Sequence, residues 1–255
     1  MSFSLLINHT PWIPERVAAL RRMLGELADT WAARTYADPW VMVNGPMPYY
    51  LHDTDYRDAG ALDRADPSNP KPRYVDFTIA QWRWAAKQDV THHIFMTDDL
   101  YFMPRFWDAL AAMVDAKPEA IIGLLSNHPK AVELAPTGEH WYRCNSWIVG
   151  PCYVVPHVHM LPLLAWAESN GCTGQGWSDD STLNEWNTFH GPAESWHPVP
   201  TIIKHDRGTV STWAHTGHGD AYSHERVSWE DRDFSIDEMC MKSFWDGSGP
   251  MWGLP

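Results

Sequence analysis

An apolar strand that runs straight into two carboxylates and then into a helix constrains this chain more than any other feature. Ile94-Phe95-Met96 is followed through Thr97 by Asp98-Asp99, and Pro104 then opens a helical pattern from Arg105 to Val114. In an open α/β sheet that order places the acids at the carboxyl end of a strand, where such sheets present ligands. Two carboxylates there suit a hard divalent cation that in turn holds phosphate oxygens. The competing account is an acidic turn that caps the next helix.

The flanking chain repeats the alternation. Phe3 to Ile7 reads as a strand, and Asn8-His9-Thr10-Pro11 as a turn. Pro14 begins a helix with Val17, Leu20, Leu24 and Leu27 inside and Arg16, Arg21, Arg22 and Glu26 outside. Val41 to Val43, closed by Asn44-Gly45-Pro46, completes a βαβ unit. The Asp- and Pro-rich stretch from His52 to Arg73 reads as a loop, with Arg64, Lys71 and Arg73 as possible phosphate or acceptor contacts. A helix is expected over Val75 to Lys87 and a strand over Glu119 to Leu125. Val132 to Tyr142 reads as an insertion or edge strands, and Trp147 to Pro156 as strand composition broken at Gly150-Pro151. Helices are expected over His159 to Ser169 and Thr182 to Phe189, the second preceded by a glycine-rich loop and Ser178-Asp179-Asp180-Ser181. Pro198 to His205 reads as a last short strand. The rest is irregular and histidine-rich, which suggests an appendage or lid over residues 214 to 255.

Composition removes several classes. The chain has 255 residues, enough for one large α/β domain. A formal charge of −13 argues against a broad nucleic-acid footprint. No apolar stretch has the length of a membrane span, and the start lacks the pattern of a signal peptide. The four cysteines form no Cys-x-x-Cys pair, so the default expectation is a reduced cytoplasmic setting. The outlier is tryptophan, with 16 copies; those beside Pro or polar residues (Trp12, Trp40, Trp141, Trp196, Trp213) are expected in part to line a cleft.

Three elements therefore end in groups able to bind metal or protons: Asp98-Asp99, Asp179-Asp180 and His205. Alone, Asp179-Asp180 reads as a helix N-cap and His205 as a packed histidine. In this order, over roughly residues 3 to 213, they resemble the GT-A class of nucleotide-sugar glycosyltransferases, in particular its inverting, family-2-like members. The Thr10-Pro11 turn with Arg16 is similar to the family's nucleotide-binding start. Ile94 to Asp99 resembles the apolar strand with its Asp-x-Asp signature, with Thr97 standing where the first aspartate is usual. Gly176-Trp177-Ser178-Asp179-Asp180-Ser181-Thr182-Leu183 is similar to the Trp-x-Glu-Asp-x-x-Leu segment that carries the base. Ile202 to His205 resembles the strand whose histidine completes the metal site.

The resemblance implies a GT-A (Rossmann-like) mixed, mostly parallel sheet flanked by helices, with an irregular C-terminal extension. The catalytic domain would span 1 to 213, its nucleotide part to about 103. It implies sugar transfer from a nucleotide sugar, UDP-linked in most of the family, to an acceptor hydroxyl with inversion. Mn²⁺ or Mg²⁺ would be held by Asp99, Asp98 and His205, a histidine ligand favouring Mn²⁺. Asp180, or else Asp179, would be the base. Thr10, Pro11, Arg16, Asn44, Arg73, Thr97, Asp98 and Trp177 would contact the donor. The acceptor would be a glycan, a protein or a hydroxylated nucleobase in DNA. Two other classes compete: a non-catalytic carbohydrate-binding module with a structural metal, and a metal-dependent phosphate hydrolase. His215 to His224 reads as lid sequence rather than a zinc cluster, since no His-Glu-x-x-His spacing occurs.

Overall fold

The computed structural model describes residues 1–11, 13–31, 40–44, 57–62, 74–144, 148, 150–170, 179–191, 194–206, 208–209, 227–230 and 244–246. In chain order the first half runs β1 (Phe3–His9), α1 (Pro14–Trp31), β2 (Trp40–Asn44), β3 (Arg57–Leu62), α2 (Tyr74–Ala85) and β4 (His92–Thr97). After the acidic pair come β5 (Leu100–Phe102), α3 (Phe106–Ala116), β6 (Ile121–Gly123), α4 (Pro129–Leu134) and β7 (Trp141–Arg143). Then follow β8 (Cys152–Pro156), α5 (His157–Ser169), α6 (Asp179–Phe189), β9 (Ser195–Pro198), β10 (Ile203–His205) and β11 (Phe244–Asp246).

Nine strands form one mixed, mostly parallel sheet in the order β11-β7-β9-β6-β8-β4-β1-β2-β3, and β5 pairs with β10 in a small second sheet. β1 runs parallel to both β2 and β4, while β8 runs antiparallel to β4 and β6. The chain therefore leaves β1 toward β2 and β3 and returns to its other side at β4. That reversal lies at the carboxyl ends of β1 and β4, the place in doubly wound sheets where ligands are bound.

Strand alternation explains why both faces are covered. Leu5, Ile7, Ile94, Met96 and Val154 pack toward α1 and α3 with Leu20, Met23, Phe106 and Leu110. Leu6, Phe95, Tyr153 and Val155 face the other way, onto α2, α5 and α6 with Trp82, Met160, Leu163 and Leu183. Strands apolar on both faces are what a sheet sandwiched by helices requires.

Several sequence expectations need correction. Arg16 is buried rather than on the outer side of α1. The stretch read as a loop from His52 to Arg73 contains a strand, β3, parallel to β2. The single strand expected over Pro198 to His205 is split between β9 in the main sheet and β10 in the small one. Val132 to Tyr142 combines the end of α4 with the start of β7. Trp141 and Trp196 line no cleft; both are buried and meet edge to face at 6.5 Å. In the extension expected to be an appendage, β11 pairs in parallel with β7 and so belongs to the main sheet.

Candidate functional site

At the end of β4 the backbone turns tightly into β5, so that Asp98 and Asp99 both point inward and are fully buried. Their surroundings differ. Asp98 Oδ2 accepts from His9 Nδ1 at 2.6 Å and from the Thr10 amide at 2.9 Å, while Oδ1 pairs with Arg16. Both oxygens are used within the protein, and the result is a buried clasp between the ends of β1 and β4. A buried carboxylate needs this compensation.

Asp99 is less completely engaged. Its Oδ2 is 2.6 Å from the second guanidinium nitrogen of Arg16, 3.1 Å from His205 Nε2 and 3.3 Å from the Thr209 hydroxyl. Its Oδ1 is buried without a hydrogen bond of ordinary geometry. Burial works to raise the Asp99 pKa. The Arg16 charge, then His205, with a smaller effect from the Thr97 hydroxyl, more than reverses that and holds the carboxyl well below its usual range. Asp99 is thus an anion with one oxygen to spare. The Asp206 amide donates to the Asp99 carbonyl at 2.7 Å, which fixes the end of β10, and with it His205, against the acidic turn.

The second acidic pair opens α6. Gly150 carries it close: its amide donates to Asp180 Oδ2 at 3.2 Å, and a Cβ added there would lie 3.0 Å from Asp179 Oδ1. The neighbouring Pro151 carbonyl accepts from the Thr97 amide at 2.9 Å. Asp179-Asp180 and Asp98-Asp99 therefore flank one connection, Thr97 to Pro151 to Gly150, at the same end of the sheet. Burial, then the adjacent Asp180 charge, pushes the Asp179 carboxyl up to about 8, and burial also raises Asp180. Ser181 and Gly150 amides support Asp180 as the ionised partner. Shared burial and the charge of Asp180 couple the two carboxyls, and both are held above the ordinary aspartate range.

Of the residues singled out in the sequence, Thr10, Arg16, Thr97, Asp98, Asp99 and His205 come together, and Asp179 and Asp180 adjoin them through Gly150-Pro151. Pro11 lies in the turn directly after β1. Asn44 ends β2, the strand beside β1. Arg73, Trp177, Trp213, the glycine-rich loop and the His215–His224 segment lie outside the described residues. Sequence reasoning missed His9, Thr209 and Gly150. His9 could have been found from its place at the carboxyl end of the first strand, whereas Thr209 and Gly150 carry no sequence signal.

Among the described residues no three His, Cys, Asp or Glu side chains converge on a metal position. The protein would supply two ligands at most, Asp99 through its spare oxygen and His205, with Asp98 committed to Arg16 and His9. Mg²⁺- and Mn²⁺-type sites that also hold phosphate oxygens are commonly that sparse. Compared with known proteins, the sequence matches no family model and no curated protein sequence.

Proposed function

We propose that this chain is a metal-dependent glycosyltransferase of GT-A type, moving a sugar from a nucleotide sugar, most simply UDP-linked, to an acceptor hydroxyl with inversion. One observation carries the reading: the Thr97 amide bonded to the Pro151 carbonyl ties the ionised Asp99 at the end of β4 to Gly150, whose amide holds Asp180 of the second acidic pair. Asp99 suits a charged leaving group, the second pair a nucleophile that must lose a proton. Carboxyls raised by burial are characteristic of catalytic sites more than of simple binding modules, which favours the enzyme reading.

Asp99 and His205 would hold Mn²⁺ or Mg²⁺, which when bound neutralises the departing diphosphate. Arg16 keeps Asp99 ionised and fixes its orientation through the clasp with Asp98. The turn after β1, Thr10-Pro11, sits where the nucleotide would lie in a sheet of this kind. On the other side the Asp179-Asp180 pair takes the proton of the acceptor O–H as that oxygen bonds to the anomeric carbon. The bond from that carbon to the diphosphate oxygen breaks, and the diphosphate leaves. Asp180, the less buried of the two, is the member we assign to the acceptor proton.

The test is product formation from a panel of nucleotide sugars with Mn²⁺. Transfer or slow donor hydrolysis should require the metal, stop in EDTA, and fall by about 10²–10⁴-fold in Asp180→Asn. Asp99→Asn should lose the metal dependence with the activity. Undiminished turnover in EDTA would remove the proposal.

A further inference from the structure

A groove borders His205 on the side of β5 and β10. It has a volume of ≈ 800 Å³, within the range of small-ligand sites, and its walls include Tyr101 and Phe102 of β5, Lys204 and His205 of β10, Trp229 and Glu230. Four of its lining residues come from the small β5–β10 sheet. One of them is His205, whose Nε2 is the atom 3.1 Å from Asp99.

Two features define what it can take. The first is charge. Glu26 and Asp206, which also line the groove, are both paired with Arg22, at 3.1 and 2.9 Å, and Lys204 is paired with Glu230. Among the described residues each cation faces at least one carboxylate, and these offer no cationic track for a polyanion such as a nucleic acid. Ion-paired carboxylates still keep acceptor lone pairs, and these point to a ligand rich in neutral donors, namely hydroxyls. The second feature is aromatic surface. Three rings line a groove of this size, and Tyr101 is 39% exposed despite its bulk. The Arg22 guanidinium lies 3.4 Å from the centre of the Tyr101 ring and Lys204 5.0 Å from that of Trp229, so both rings are held in place. Fixed rings beside hydroxyl acceptors suit the alternating C–H faces and O–H edges of a sugar chain.

We propose that this groove binds a neutral glycan, the non-reacting part of the acceptor, and leads its reactive end past His205 to the transfer site. The placement beside His205 rests on the glycosyltransferase reading; the recognition of a glycan by Tyr101 and Trp229 does not.

The experiment is calorimetric titration of the full chain with cellohexaose, maltohexaose and chitohexaose, and separately with UDP in the presence of Mn²⁺. At least one oligosaccharide should bind. Tyr101→Ala and Trp229→Ala should each weaken it at least tenfold and leave UDP affinity unchanged. Tyr101 is exposed, so its variant keeps the fold if packing of Trp229 matters. Absence of binding by all three sugars, sugar binding indifferent to both variants, or capture of an oligolysine peptide in their place overturns the groove proposal. Ring-dependent sugar binding in a protein that ignores UDP supports the groove and removes the transferase reading.

Discussion

Asp98 and Asp99 are adjacent and chemically identical, yet one is a structural clasp and the other an anion with a spare oxygen. The difference lies in what faces each: His9, Thr10 and Arg16 exhaust Asp98, whereas Asp99 shares a single oxygen among Arg16, His205 and Thr209. The residue types were legible in the sequence, but their division of labour was not. It depends on Arg16, which helical periodicity puts on the outer face and which instead turns inward from the first turn of α1 to meet two buried charges. The same holds for Asp179, which reads as a helix cap until burial and its neighbour raise its pKa to about 8. That shift has a stability consequence whose sign is opposite to the usual one for aspartate. The folded protein holds a proton that the unfolded chain releases near pH 4. The contribution is therefore fully present below about pH 4 and is lost as pH rises through about 8. Asp179→Asn should abolish this loss. The difference in Tm between variant and wild type should grow from pH 5 to pH 9, reaching several degrees for a stability change of about 2 kcal/mol. Thermal unfolding across that range checks it, and a difference that does not change with pH contradicts the raised pKa.

At the scale of elements, the strand–helix alternation and the acidic strand were readable because both faces of the sheet are buried and continuous apolar runs result. The strands that escaped notice are short or edge strands: β3, β5, β7 and β11 number between three and six residues and gain their stability from partners distant in sequence. β5 and β10 matter most, because their pairing brings His205 to Asp99. Pairing registers also explain a glycine with no sequence signature. Gly123 in β6 lies beside β9, and a Cβ there would come 2.6 Å from His197 Nδ1 and 2.7 Å from its Cε1. His197 cannot retreat, since its ring stacks on Tyr142 at 4.8 Å and its Nε2 bonds the Cys144 carbonyl. Gly123→Ala should cost roughly 1–3 kcal/mol, the range for overpacking a rigid interior. Chemical denaturation measures this, and a change below 0.5 kcal/mol (roughly the surface range) would mean that β9 yields more readily than its contacts imply.

For the molecule as a whole, the α/β class follows from alternation alone, and the mixed sheet reverses its strand order beside β1, where sheets of this class bind ligands. No described helix is long and apolar enough to cross a membrane. What strand and helix periodicity does not give is proximity: His205 reaches Asp99 through the β5–β10 pairing, and the α6 acids reach the same end of the sheet through the Gly150-Pro151 turn. The glycosyltransferase proposal depends on that proximity acting as one donor site. Calorimetry with UDP tests this most directly, run with Mn²⁺, with EDTA, and with Asp99→Asn in place of the wild type. The account predicts binding with Mn²⁺ that weakens at least tenfold in EDTA and equally in Asp99→Asn. UDP binding of the same strength under all three conditions, or none with Mn²⁺ present, would contradict it.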